Sequence, residues 1–451
     1  MSNRKIIMPV DYKPPLSFMI VGGFQHVLTL FGATTLVPLI FGPVIGMDKG
    51  EIGIFVNSVY LVMGIATLLQ ISMVGSGLPI VQGSSFSFIP AVMAIIAATK
   101  EEGVNFVMRA ISGALISGGI VELAVGYGGL IGLLRKVITP VVIGPTIMLI
   151  GFGLAPVAVN TAGSFWPVAI LVVLGIFVFS MLLGERMRLI SVISSIALVY
   201  ILCLLLSAMG VFKEGHAAFI SLKPVAEASW INLPSPFRYG MPVFDITFFF
   251  AILAAYLASM IESFGDYHSI SYASGLEDPT PQKINRGIGS EGLGCMISGV
   301  FGGVGTTSYS ENIGLVGITG VASRYVVGTG AILLILMSLL GKLGALIATI
   351  PSPIIGGAYI ALFGVIGAIG IMILGRADLT SQRNLLIIGF AFLMGLGLPQ
   401  WVGNNPIVFE PKWIADIITR ILSTGMAVGA ICGLVLDNLI PGTLEERGVK
   451  S

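Results

Sequence analysis

Long apolar stretches separated by short polar connections make up most of this chain. A stretch of about 20 apolar residues is long enough to cross the hydrocarbon core of a bilayer as a helix. About fourteen such stretches can be marked, and several are interrupted by Gly and Pro. They begin near Ser17, Ile54, Pro79, Phe106, Leu130, Trp166, Leu189, Val243, Ile288, Ser310, Tyr325, Pro353, Asn384 and Ile414. The pattern predicts an all-α polytopic membrane protein of about 14 spans.

The composition excludes a water-soluble globular protein. Of the 451 residues, 55% are hydrophobic and only 10% are charged, and the mean hydropathy is +1.00. Soluble domains carry about 25% charged residues, so this surface faces lipid. The net charge of +1 and the dispersed basic residues argue against a nucleic-acid partner. Cys203, Cys295 and Cys432 lie unpaired in apolar stretches, which predicts small buried side chains and neither disulfides, a metal site nor a cofactor.

The basic residues predict the orientation in the membrane. If the N-terminus is cytoplasmic, the even-numbered connections are also cytoplasmic, and together with the two termini they hold fourteen of the 23 Lys and Arg, as the positive-inside rule requires. Both termini are then cytoplasmic in a multi-pass protein of the plasma or inner membrane. The first apolar run, 17–41, is too long for a signal-peptide core and is expected to be a retained span. The longest external connection, 213–242, separates two halves.

The two halves resemble each other in sequence. The segment PVVIGPTIMLIGFGLA from Pro140 and the segment PIIGGAYIALFGVIGA from Pro353 share six identical residues in sixteen positions. Two repeats of seven spans must be inverted relative to each other, because an odd number of crossings reverses the chain direction. Inverted repeats are typical of secondary transporters, which hold substrate near the midplane on broken helices.

Two spans, the third and the tenth, carry such breaks. In the first, an extended stretch at 78–82 precedes Ser84, a candidate N-cap of a half-helix. In the second, the β-favouring stretch 306–309 precedes the candidate cap Ser310, with Glu311 in the first turn. Non-helical backbone at membrane depth must be satisfied by protein or by a watery cavity. We therefore predict two short strands that pair, with two half-helix N-termini facing one cavity.

Four carboxyl groups lie within apolar surroundings: Glu262, Asp266, Glu291 and Glu311. Intramembrane acids are costly and usually functional. Glu262 and Asp266 are four residues apart on one helical face, where like charges favour a shared proton. The alternative is that an acid only accepts a hydrogen bond from a facing Ser or from the backbone. Carboxylates in the cavity disfavour an anionic substrate.

Three further residues could have either a structural or a functional role. Of the three His residues, His26 alone lies well inside a predicted span. Its side chain either packs and forms hydrogen bonds in the helix bundle or carries a proton. Phe86 and Tyr309 flank the two half-helix starts, where they could stack on a planar ring or simply pack in the core.

The assembled motifs resemble the nucleobase-ascorbate transporter family over nearly the whole chain. They are QHVLTLFGATTLVP at Gln25, GSSFSF at Gly83, ESFGDY at Glu262 and ENIGLVGITG at Glu311. The resemblance implies a core domain at 1–128 (spans 1 to 4) and 243–350 (spans 8 to 11). It implies a gate domain at 129–242 (spans 5 to 7 with the external loop) and 351–451 (spans 12 to 14 with the cytoplasmic tail). Members are often homodimers that move as an elevator.

By the same resemblance, Glu262 and Glu311 would accept ring N–H groups of a nucleobase. The backbone amides at Phe86 and Ser310 would donate to its carbonyls. His26 would support the site. Tyr309 is placed with the substrate-binding residues, and Asp266, Glu291 and Asn312 are placed with His26 in proton coupling or support.

Departures from the family leave the substrate open. Asp266 stands where bacterial uracil-transporting members have His, and Glu291 stands where several xanthine transporters have Asp. Glu311 replaces a Gln common in xanthine and urate carriers, and the Pro of the ascorbate branch is absent. We expect proton symport of a nucleobase, with uracil slightly favoured over a xanthine-like purine.

Other functions remain as alternatives at this stage. They are a sodium-coupled nucleobase carrier, or an anion exchanger or channel of the same architecture. An intramembrane enzyme is not expected, because the sequence has no HExxH, no GxSxG and no His pair at ligand spacing.

Overall fold

Helices built from the apolar stretches make up most of the computed structural model, which describes residues 6–132, 137–405, 407–443 and 445–448. The helices are α1 Leu16–Ile45, α2 Lys49–Ile71, α3 Ile89–Thr99, α4 Val104–Tyr127, α5 Pro140–Gly153, α6 Ala155–Ala162, α7 Trp166–Met181, α8 Glu185–Leu189, α9 Ser191–Ala208, α10 Lys223–Glu227, α11 Ile246–Ala273, α12 Pro281–Phe301, α13 Ser310–Thr319, α14 Arg324–Ser338, α15 Gly341–Ala348, α16 Ser352–Leu374, α17 Gln382–Asn404, α18 Lys412–Leu422 and α19 Gly425–Leu439. The strands are β1 Gln82–Ser84 and β2 Thr306–Ser308, and 3-10 turns lie at Phe86–Phe88 and Lys100–Glu102.

Among the described residues, eight helical segments are long and apolar enough to cross a membrane. They are α1, α2, α4, α5 with α6, α9, α11, α16 and α17. Three shorter apolar helices, α7, α14 and α19, accompany them. A multi-pass helical membrane protein is thus confirmed, whereas the count of fourteen crossings, the inverted layout and the orientation stay predictions. The chain ends at 1–5 and 449–451 lie outside the described residues.

Local sequence explains where consecutive spans meet. Helix α1 ends at Ile45 and is followed by the C-cap residue Gly46, whose φ of 93° suits a residue without a side chain. Helix α2 begins at Lys49, and its N-cap Asp48 forms a capping box: Asp48 Oδ1 accepts from the Glu51 amide at 2.8 Å, and Glu51 Oε2 accepts from the Asp48 amide at 3.0 Å. These caps satisfy both helix ends within a very short turn.

Glycines let the long helices approach each other closely. Gly119 and Gly126 of α4 contact the backbone of α12 at Gly292 and Gly289. Small residues at such crossings are typical of helix packing in membranes, where burial of apolar surface does not drive association. Helices α5 and α16, which contain the segments with matching sequence, also pack directly against each other. Their contacts run in opposite directions, so these two helices are antiparallel.

The two broken spans meet in the middle of the fold. Strands β1 and β2 pair antiparallel, with Gln82 opposite Ser308, Gly83 opposite Thr307 and Ser84 opposite Thr306. The predicted pairing of two short strands is therefore confirmed, but the first strand begins only at Gln82, where the predicted extended stretch 78–82 ends.

The two predicted helix caps are wrong by one residue. Ser84 is the last residue of β1, and its hydroxyl donates to the Thr34 carbonyl at 3.2 Å, so it is unavailable as a cap. Ser310 is the first residue of α13, with Tyr309 at the N-cap position. In both spans the helical turn begins only where strand pairing ends.

Candidate substrate site

The paired strands bring the beginnings of two half-helices together. Beyond the strands, the Ser85 amide donates to the Gly305 carbonyl at 2.9 Å and the Tyr309 amide donates to the Val81 carbonyl at 3.0 Å. After β1 the chain enters the 3-10 turn that leads into α3, and after β2 it enters α13. Amides in a first helical turn have no acceptor within their own helix, and the helix dipole makes this end positive. The place where the two turns begin is therefore rich in hydrogen-bond donors.

Two glycines make the strand crossing possible. The ring of Tyr309 lies against Gly83, and the ring of Phe88 lies against Gly305, so that an added methyl group at either glycine would overlap the ring. Each glycine belongs to one broken span, and each aromatic ring belongs to the other. Each broken span therefore packs an aromatic ring against a glycine of the other span, and these two contacts hold the strands close together.

Helix α11 places two carboxyl groups beside these turns. Glu262 is half-buried, and its Oε2 accepts from the Ser87 hydroxyl at 3.5 Å. One helical turn later, Asp266 accepts from the Ser308 hydroxyl at 2.8 Å and from the Ser310 hydroxyl at 2.7 Å. The predicted common face of α11 is therefore directed at both broken spans.

Glu291 of α12 lies deeper, with 1% of its surface exposed. Its Oε1 accepts from the Gln82 amide group at 3.0 Å and from the Tyr267 hydroxyl at 2.8 Å. Its Oε2 accepts from the Ser263 hydroxyl at 2.6 Å. Three donors fix this carboxyl group against β1 and α11.

The first turn of α13 points its residues in different directions. Ser310 and Glu311 are exposed, whereas Asn312 is buried. The Asn312 amide group donates to His26 Nδ1 at 3.1 Å and to the His26 carbonyl at 3.0 Å. With Nδ1 as acceptor, the buried His26 is the neutral tautomer that carries its proton on Nε2. These two hydrogen bonds connect α1 to α13 through His26 and Asn312.

The two candidate aromatic residues have different surroundings. Phe86 is half-buried, and its ring meets Phe363 of α16 edge-on at a centroid distance of 6.2 Å. Tyr309 is only 4% exposed and is packed against the strand crossing. In this conformation Phe86, and not Tyr309, has ring surface available to a ligand.

Sequence reasoning missed two buried acids, Asp437, which is paired with Arg383 and Arg447, and Glu122 of α4, which has no such partner. The Glu122 side chain is fully buried, and neither carboxyl oxygen has a hydrogen-bond partner in the described part of the chain. It lies within electrostatic reach of Glu291. The signal was present, because a Glu in the apolar run ISGGIVELAVGY meets the same criterion that selected the other intramembrane acids.

Comparison with known proteins places the chain in a family. A permease family model matches residues 18–403. Solute carrier family 23 member 2 of Homo sapiens is 33% identical over 495 residues, covering 99% of this chain and 76% of that relative. Nucleobase-ascorbate transporter 7 of Arabidopsis thaliana is 33% identical over 468 residues, covering 97% of this chain and 87% of that relative.

Solved structures share the fold at low sequence identity. The transmembrane domain of the cyanobacterial bicarbonate transporter BicA has a TM-score of 0.54 and 16% identity, covering 95% of this chain and 99% of that domain. SLC26A9 has a TM-score of 0.61 and 11% identity, covering 95% and 66% of the two chains. The extent of the family match and the identity to its members show that this chain belongs to the permease family of nucleobase-ascorbate transporters, and that it is a membrane transporter and not an enzyme.

Proposed function

We propose that this protein takes up a nucleobase by proton symport, with uracil slightly favoured over a xanthine-like purine. The observation that carries the proposal is the meeting of two half-helix starts with the acidic side chains of Glu262 and Glu311. The arrangement offers hydrogen-bond donors from the backbone beside acceptors from carboxylates.

This arrangement complements one edge of a nucleobase. Uracil and xanthine both present a ring N–H next to a C=O. Glu262 and Glu311 accept the N–H groups, and the amides of Phe86 and Ser310 donate to the carbonyl oxygens. Phe86 contributes ring surface for stacking. Some relatives are named nucleobase-ascorbate transporters, which supports the same class of ligand.

The acids also support proton coupling. Asp266 and Glu311 lie within electrostatic reach of Glu262. A cluster of carboxylates crosses a low-dielectric region more easily when it is neutralised, and a proton from outside supplies that neutralisation. Sodium is the alternative coupling ion.

Packing supports a division into the core domain (1–128 and 243–350) and the gate domain (129–242 and 351–451). Helices α4 and α12 pack together, as do α2 and α14, whereas α5 packs on α16 and α17 packs on α19. A mostly apolar cavity of about 780 Å³ is lined by Met93 and Ala97 of α3, by Phe152 of α5 and by Leu396 of α17. We propose that the core moves past a dimeric gate as an elevator, in the cell membrane and with both termini cytoplasmic.

Anion exchange is the second candidate, because the bicarbonate transporter and SLC26A9 share the fold. Half-helix starts bind anions well. However, carboxylates at the same place repel an anion, so Glu262, Asp266 and Glu311 favour a neutral ligand.

The test uses purified protein in proteoliposomes and labelled uracil. Unlabelled uracil, xanthine, ascorbate and bicarbonate compete for uptake, while proton and sodium gradients are imposed separately. We expect inhibition by uracil and xanthine, accumulation driven by an acidic exterior, and loss of accumulation with a protonophore. Sodium-driven accumulation that survives the protonophore would refute proton coupling. Uptake that bicarbonate inhibits and that neither uracil nor xanthine inhibits would refute a nucleobase as the substrate.

A further inference from the structure

A hydrogen-bonded chain of side chains joins the substrate site to the buried acid Glu291. Asp266 Oδ2 contacts the Ser308 hydroxyl at 2.8 Å, and Ser308 contacts the Ser263 hydroxyl at 2.9 Å. Ser263 in turn contacts Glu291 Oε2 at 2.6 Å. All of these side chains are buried.

This chain is one proton short when both carboxyl groups are ionised. It has three oxygen–oxygen contacts, but Ser263 and Ser308 supply one hydroxyl proton each. If Ser263 donates to Glu291 and Ser308 donates to Asp266, the contact between the two serines has no proton. A proton added to Asp266 completes the chain, because Asp266 then donates to Ser308 and Ser308 donates to Ser263.

Glu122 of α4 lies beside the Glu291 end of this chain, because a Cβ atom at Gly292, the residue after Glu291, would lie 3.1 Å from the Glu122 carbonyl carbon. The groups within electrostatic reach of one another around it are Glu291 and Cys295 of α12 and Tyr256 and Tyr267 of α11. In the described part of the chain, no donor reaches either oxygen of the Glu122 carboxyl group, and no salt bridge involves it. An ionised carboxylate that is fully buried without a donor or a counter-charge is highly unfavourable, so Glu122 is neutral in this conformation.

The two acids thus have opposite surroundings. Glu291 accepts three hydrogen bonds, which favour its ionised form, and Glu122 accepts none. No hydrogen bond holds the Glu122 carboxyl group in the described part of the chain.

We propose that Glu122 carries the coupling proton, which reaches it from Asp266 through Ser308, Ser263 and Glu291. A proton binds Asp266 from the site. Asp266 then gives a proton to the Ser308 hydroxyl, Ser308 gives its own hydroxyl proton to Ser263, and Ser263 gives its own to Glu291. When Glu122 is ionised, Glu291 passes the proton to it and returns to the carboxylate, which leaves Glu122 in the neutral, loaded form favoured in this conformation. Glu122 releases the proton after the conformational change and can then accept the next one. The number of protons is conserved, and Asp266 is free to bind the next one. This inference rests on the proposed proton symport and names the residue that stores the proton.

The test separates proton-driven accumulation from substrate exchange, which moves no net proton. Glu122→Gln is neutral and nearly isosteric but cannot bind or release a proton. In proteoliposomes we expect it to retain exchange of labelled uracil for internal uracil and to lose roughly tenfold or more of the accumulation driven by a proton gradient. Glu101→Gln, at an exposed position, is the matched control and is expected to behave as wild type. Glu122→Asp keeps a titratable group and is expected to restore part of the accumulation.

The outcomes distinguish this inference from the proposed function. Wild-type accumulation that ignores the proton gradient would refute proton symport itself. Proton-driven accumulation that is normal in Glu122→Gln would overturn only the role of Glu122. If Glu122→Gln does not fold, Ser263→Ala leaves Glu122 in place and interrupts the chain. It is expected to show the same loss of accumulation with retained exchange, and normal accumulation in that variant would also overturn the proposal.

Discussion

The acidic residues of the candidate site differ chiefly in how many donors already occupy them. Glu291 accepts three hydrogen bonds and Asp266 accepts two, whereas Glu262 accepts one long bond from Ser87. A carboxylate with free acceptor positions is the one that can take an incoming N–H group. Hydrogen-bond occupancy therefore points to Glu262 as the main ligand-facing acid on α11.

We expect Glu262→Gln to abolish most transport. The substitution replaces a carboxylate acceptor with an amide that also presents donors to the ring N–H. Losing one charge-assisted hydrogen bond in a partly dry site corresponds to about 1.5–3 kcal/mol, or roughly ten- to hundredfold in affinity. Substrate binding and uptake should be measured separately on membrane-inserted protein. The exposed Glu277→Gln serves as control, and wild-type uptake by Glu262→Gln would remove this residue from the site.

Glu311→Gln is expected to weaken uracil uptake more than xanthine uptake. An ionised Glu is only an acceptor, whereas Gln also donates, so the substitution changes which ligand edge is matched. Competition curves for both bases in the variant and the wild type measure the change. Equal losses would show that Glu311 binds a shared edge without selecting. An unchanged profile would leave Glu311 as a first-turn acid that stabilises its own helix by about 0.3–1 kcal/mol.

The residues themselves show how far sequence reasoning reaches. The apolar sequence around them was enough to select four acids as candidates, but it did not show which residues they contact. These acids are Glu262, Asp266, Glu291 and Glu311. Which serine faces which acid depends on the strand register, and a one-residue change of register turns every side chain to the other face. Glu122 meets the same criterion but belongs to none of the motifs that carry the family resemblance, and only the structure shows that its buried carboxyl group has no donor in the described part of the chain.

At the scale of elements, the two broken spans cross at the paired strands β1 and β2, and this crossing brings the two half-helix starts together beside the acids of α11. Gly, Pro and Ser in otherwise apolar runs predicted both breaks and their pairing, because such backbone needs a partner within the membrane. The exact start of each half-helix was not predictable. Local propensity favours Ser at a helix N-cap, but pairing with the opposite strand extends β1 through Ser84, and Asp266 binds the Ser310 hydroxyl.

Gly83→Ala should disrupt this crossing. The added methyl group would overlap the buried Tyr309 ring, and overpacking at such a contact costs about 1–3 kcal/mol. We expect a lower thermal transition of the detergent-solubilised protein and weaker uracil binding. Gly389→Ala in α17, where an added methyl group meets open space, is the control. A stable Gly83→Ala variant with normal binding would show that the crossing can relax without moving the site.

At the scale of the whole molecule, contacts between the proposed core and gate should change during transport, while contacts within each domain persist. Gly32 of α1 and Val192 of α9 lie on opposite sides of this boundary, and a Cβ atom at Gly32 would be 3.2 Å from the Val192 Cβ atom. Gly175 of α7 and Ser195 of α9 both lie in the proposed gate, with a corresponding distance of 3.1 Å. Both pairs are close enough for a disulfide after slight adjustment, since bridged Cβ atoms are about 3.5–4.5 Å apart.

Oxidation of the double variant Gly32→Cys/Val192→Cys should therefore stop uptake, and reduction should restore it. A bond across the boundary holds the core in one position, so we expect a loss of roughly tenfold or more, because alternating access requires the two domains to move. Gly175→Cys/Ser195→Cys, cross-linked to the same extent, should transport in both redox states because its bond stays within the gate. If the cross-boundary variant transports normally when fully oxidised, the two domains do not slide at α1 and α9. Transport would then require a smaller movement of the half-helices around a fixed frame.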